Sequence, residues 1–201
     1  PWTPEGQHPE KPEAREAFIE TLNRGFQFFL YQGHGAADQI AHEVLMLGED
    51  VSSLDNGSRL PVSFWATCDV GHFDNPGGDA IGETLVLHPA GGCIASVAAT
   101  RGTYGSANYS YFRSVVDSLC RNENLTLGDA VWQSKLINPG SYSNNNKFYV
   151  LFGYPDLPLP FPDNGGSVTV AEDTLRSGEM NTVSGTGFSQ DGLALLEVRE
   201  S

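Results

Sequence analysis

Apolar and polar positions along the chain alternate between two periods. From Lys11 to Arg24, Ala14, Phe18 and Leu22 recur at helical spacing, with Pro12 in the first turn, and predict a helix. Phe26–Tyr31 is a short apolar run and reads as a buried strand. A loop and a short helix near Gly48–Leu54 lead to a second run, Val62–Thr67. Asp79–Leu87 reads as a helix with Ile81 and Leu85 on one side, and Cys93–Ala98 as a third strand. Ala107–Arg121 turns Phe112, Val115, Val116 and Leu119 to one face, and Leu127–Ile137 carries Ala130, Val131 and Leu136. Phe148–Phe152 is a fourth strand.

Strands alternating with helices predict an α/β fold with a mostly parallel sheet and right-handed crossovers. The strands lack polar alternation, which suits a sheet covered on both faces. The proline run Pro155–Pro162 cannot continue a helix or join a central strand, so it ends the α/β unit. Beyond it, Ser167–Val170, Met180–Gly185 and Leu193–Val198 are strand-like runs between glycine-rich turns. The domain reading is a polar arm over 1–12, an α/β unit over 13–162 and a β-rich segment over 163–201, the start of a β-sandwich.

Length and charge narrow the function. The chain has 201 residues and a net charge of −14. That charge repels nucleic acid and anionic membrane surfaces. No segment reaches the ~20 apolar residues needed to span a bilayer. The chain starts at Pro1, as a processed or excised form would. Three cysteines cannot all pair within the chain. Cys93, inside a strand, and Cys120, closing a helix, read as small core hydrophobes. Asn56, Asn108 and Asn124 each open an Asn-x-Ser/Thr triplet, short enough to arise by chance.

The candidate chemistry lies at two strand ends. The first apolar run delivers His34 between Gly33 and Gly35, and the second delivers Cys68. In an open α/β sheet, ligands bind at the carboxyl edge. If the two strands are parallel neighbours, imidazole and thiol emerge together as a Cys-His dyad for acyl transfer. The amides of Gly35 and Cys68 are the natural oxyanion donors. Trp65, Asp69, Arg101 and Asn108 are expected to border the substrate.

The blocks Gly33-His34-Gly35, Trp65-Ala-Thr-Cys68-Asp-Val-Gly-His-Phe-Asp74 and Gly91-Gly-Cys-Ile-Ala-Ser-Val-Ala-Ala-Thr-Arg101 together resemble the gingipain-like cysteine peptidases, peptidase family C25. Leu127-Gly-Asp-Ala-Val-Trp-Gln-Ser-Lys135 and Leu151-Phe-Gly-Tyr-Pro-Asp156 resemble its later blocks, and Thr100-Arg101 with Ala107-Asn108-Tyr109 is similar to the type IX secretion sortase branch. The resemblance implies a caspase-like fold followed by an immunoglobulin-like domain, and a secreted or surface-located bacterial cysteine endopeptidase acting on polypeptides. It implies His34 and Cys68 as the dyad, with Gly35 in the oxyanion hole. No cofactor is required; several members bind calcium, for which Asp74, Asp79 and Glu83 would be the oxygen ligands, although a solvated acidic loop is the plainer reading. In the family the catalytic domain extends upstream of Gly-His-Gly, so a preceding half-domain becomes an expected partner and the source of a carboxylate for His34. Tyr154 stands where the family commonly has Asp. The alternatives are a sortase-like transpeptidase and an inactive caspase-like interaction module.

Overall fold

The computed structural model describes residues 10–121, 125–137, 145–159, 167–170 and 182–186. The chain divides into two compact units, Pro1–Leu159 and Pro160–Ser201.

The first unit is built on a four-stranded sheet of β1 (Phe28–Gln32), β4 (Val62–Ala66), β5 (Ala95–Ala99) and β6 (Tyr149–Gly153), in that spatial order. β1, β4 and β5 are parallel, and β6 runs antiparallel to β5. The reversal follows from the connection. One crossover helix, α2 (Ile81–Leu87), joins β4 to β5. Two long helices, α3 (Gly105–Arg121) and α4 (Leu127–Ile137), then a short α5 (Asn145–Phe148), separate β5 from β6. An even number of long helices returns the chain to the edge it left, so the next strand runs the other way.

Side chains leave the sheet on alternate faces. On one face Phe28 packs on Phe64, and Phe64 meets Phe112 of α3, which also packs on Tyr149. On the other, Phe29 and Trp65 stack edge-on, with Phe18 of α1 (Pro12–Arg24) against Phe29. Leu22, Met46, Val51, Ile81 and Leu85 complete that side of the core. All five residues of β4 and of β5 are buried. This is why their sequences show no polar alternation. Helix α1 stops at Gly25, whose φ of 75° suits glycine and whose amide caps the Leu22 carbonyl.

A small antiparallel ladder between β2 (Gln39–Ile40) and β3 (Met46–Leu47) follows β1 and leads into a 3-10 helix over Gly48–Ser53. Two-residue strands leave no periodicity in a sequence, and the ladder was not expected. Cys93 is buried as expected, but Cys120 is exposed, because it lies on the outer side of α3 from Leu119. Asn56 is 1% exposed, and its carboxamide bonds the Gly92 amide and carbonyl and the Arg59 carbonyl. In the folded chain it is therefore no glycosylation acceptor. Asn108 is buried too, and Asn124 lies outside the described residues.

In the second unit, β7 (Ser167–Val170) and β8 (Val183–Thr186) pair antiparallel. Leu193–Val198 lies outside the described residues, and the described ones form this single ladder and no sandwich. No helix among the described residues is long and apolar enough to cross a membrane.

Candidate active site

The register of the parallel pair decides where the two reactive side chains fall. Gln32 and Ala66 are the last partners of β1 and β4. His34 and Cys68 each follow two residues later, so adjacent strands release them at the same edge and level. Gly35 closes the gap between the two loops. A Cβ on it would sit 2.7 Å from Thr67 Oγ1 and 3.1 Å from Val70 Cγ2. The loop carrying the histidine is seated directly on the loop carrying the cysteine, and only glycine permits that approach.

The His34 backbone is pinned. Its carbonyl accepts from the Ala41 amide at 2.9 Å and from the Tyr31 hydroxyl at 3.0 Å. Burial, with Glu43 nearby, pushes the Tyr31 phenol up, so it stays a donor. The His34 ring is exposed and stacks on His42 with centroids 4.5 Å apart and planes at 11°. His42 sits in the β2–β3 turn, where Ala41 and Val44 hold positive φ of 62° and 57°. His34, Gly35, Asp38, Gln39, Ala41 and His42 line a cleft of about 200 Å³. Among the described residues, no carboxylate hydrogen-bonds the His34 ring.

Cys68 is a half-buried free thiol. Thr103 supplies its hydrogen bonds. The Thr103 amide donates to Sγ at 3.3 Å, and Sγ–H reaches the Thr103 carbonyl at 3.5 Å. No hydrogen bond joins the sulfur to the imidazole; such contacts are often loose before substrate binds. Directly after Cys68, Asp69 takes φ 57°, a left-handed turn that Asp tolerates. Its amide meets the Arg101 carbonyl at 3.5 Å.

Two expected substrate contacts are corrected. Trp65 is fully buried, shares the core face of Phe29 and Tyr31, and donates its indole N–H to Ser63 Oγ at 3.0 Å. Strand parity turns it into the core beneath the edge. Asn108 is 2% exposed, because the first turn of α3 points it inward. Asp69 and Arg101 lie beside Cys68, joined by the Asp69 amide. The Arg101 guanidinium is engaged by Asp74 through two bonds of 2.9 and 2.7 Å, and holds that carboxyl below the usual carboxylate range. Of the expected calcium ligands, Asp74 is thus paired with Arg101, and Glu83 accepts the Ala80 amide at 3.2 Å. No cluster of three metal-ligating side chains occurs among the described residues.

Thr103 is not singled out by the sequence, and His42 reads there as a helix or loop residue that competes poorly with His34. Thr103 lies 35 residues from Cys68, and only the β4–β5 pairing brings the two together. His42 carries no local signal beyond being a histidine in a short turn.

The sequence model of peptidase family C25 matches residues 3–160. The chain belongs to peptidase family C25. No curated protein matches it. Among solved structures, it is similar to the complex of Porphyromonas gingivalis RgpB pro- and mature domains, with a TM-score of 0.64 at 21% identity over 78% of this chain and 40% of that one. It is likewise similar to the Arg-specific cysteine proteinase gingipain R (RGPB), with a TM-score of 0.65 at 21% identity over 78% and 39%. A third structure, described as a protease, gives 0.58 at 16% identity over 77% and 45%. At these identities the likeness is one of fold. The C25 chain spans about two fifths of the length of the gingipain structures.

Proposed function

We propose that this chain carries the Cys-His dyad of a gingipain-like cysteine endopeptidase. The observation that supports it is the β1–β4 register, from which His34 and Cys68 each follow at the same interval. In this reading His34 takes the Cys68 proton, and the sulfur bonds to the scissile carbonyl carbon. The C–N bond then breaks, and the imidazolium protonates the leaving amine. Water attacks the acyl-enzyme, His34 takes its proton, and the acid leaves as the thiol is restored. The amides of Gly35 and Cys68 would face the oxyanion. The chemistry draws on no cofactor, and family membership favours a secreted or surface setting.

His34 still needs an orienting partner. Polypeptide from outside this chain would be the natural source of a carboxylate for the ring. The test is Cys68→Ala. It should abolish peptide hydrolysis and covalent capture by a peptidyl electrophile, and His34→Ala should reproduce the loss of hydrolysis. Full turnover by Cys68→Ala sinks the reading.

A further inference from the structure

The loop that holds the sulfur is itself exposed. Arg101, Gly102 and Tyr104 all face solvent, with Tyr104 at 68%. Such a loop does not hold a nucleophile still by itself. Two buried carboxamides lie beneath it. Asn108 Nδ2 donates to Thr103 Oγ1 at 3.0 Å. Asn145 Nδ2 donates to the Tyr104 carbonyl at 2.9 Å and to Asn108 Oδ1 at 2.7 Å. Asn108 is 2% and Asn145 3% exposed. Burying a carboxamide is costly unless its hydrogen bonds are made, and the NH2 groups of these two are directed at consecutive residues of this loop.

We propose that Asn108 and Asn145 are positioning residues for the Cys68 sulfur, acting through Thr103. The chain of contacts runs from α5 through α3 to the Thr103 hydroxyl, on the residue whose amide donates to Sγ. It fixes the thiol's rotamer and keeps an N–H aimed at the sulfur as negative charge develops there. The proposal rests on Cys68 being the nucleophile, but its test reads the thiol and not the peptidase.

The three cysteines make that test internally controlled. Iodoacetamide labelling of the 201-residue chain is followed at each cysteine by mass spectrometry. Buried Cys93 reports folding, and exposed Cys120 gives the reference rate. Thr103→Val removes the hydroxyl that Asn108 grips and that itself reaches Sγ at 3.9 Å, Thr103→Ser keeps it, and Asn108→Ala leaves the hydroxyl in place while removing the carboxamide. Thr103→Val and Asn108→Ala should slow Cys68 labelling about fivefold relative to Cys120, the worth of one hydrogen bond, and Thr103→Ser should restore it. Asn145→Ala should slow it in the same direction. A Cys68 rate that is unchanged or faster in Asn108→Ala or in Thr103→Val, or equally slow in Thr103→Ser, overturns the proposal provided Cys93 stays protected. Should Asn108→Ala expose Cys93, Asn108→Leu, which keeps the volume and loses the Nδ2 donor, is read in its place. Turnover surviving in Cys68→Ala would refute the peptidase reading and leave this result standing.

Discussion

At the residue scale the most exacting position is Gly35. It sits where any Cβ collides with Thr67 and Val70. Gly35→Ala should push the histidine loop off the cysteine loop and lower turnover by about tenfold to a hundredfold, which steady-state kinetics on a peptide substrate would measure. Cys93 tests burial separately. Desolvation pushes its thiol from an ordinary 9.0 to about 12, against a smaller opposing contribution from Ser63. The folded pKa lies above the unfolded one, so the stabilisation is complete below about pH 9 and is lost as pH rises toward 12. The loss should approach about 1.4 kcal/mol per pH unit. Burial raises the Tyr111 and Tyr149 phenols in the same direction. Urea unfolding of Cys93→Ala between pH 8 and 11 should show a flatter alkaline limb than the parent chain.

At the element scale, Arg15 ties α1 to the 3-10 helix through ion pairs with Asp50 and, more loosely, Glu49. Arg15 grips Asp50 through two bonds of 2.8 and 2.6 Å, and Asp50 also accepts the Leu47 amide at 2.7 Å. Burial would raise the Asp50 carboxyl, but Arg15 and the Leu47 amide outweigh it and hold it below its ordinary value. This contribution is present above about pH 4 and is lost as pH falls through the lowered folded pKa. Asp50→Asn should cost about 1–2 kcal/mol at neutral pH and nothing further in strong acid, as thermal unfolding across pH would register. The helices and main strands were legible element by element, because each carries its own period or an apolar run. The β2–β3 ladder was not, being too short to have a period. The direction of β6 was not either. It depends on how many long helices separate it from β5, a count that reads as a sheet direction only once the chain is folded.

At the scale of the whole molecule, the charge of −14 bears on the proposed reaction. It raises the local concentration of cationic chains and repels anionic ones. For a peptide rich in Lys or Arg, kcat/KM should fall roughly twofold or more between about 50 and about 300 mM salt. A neutral peptide of the same length should change little; equal salt responses would dissociate the charge from substrate choice.

Local patterning by itself determined the α/β class, the buried strands and the two strand ends that carry His34 and Cys68, because those depend on neighbours in the chain. Tertiary structure alone decided the rest. It set the register that levels the two side chains and the parity that sinks Trp65 into the core. It also brought Thr103, Asn108 and Asn145 beneath the sulfur, from positions 35 to 77 residues beyond Cys68. Contacts of that span leave no trace in composition or period, since they arise only when β4 and β5 pair and α3 packs across them.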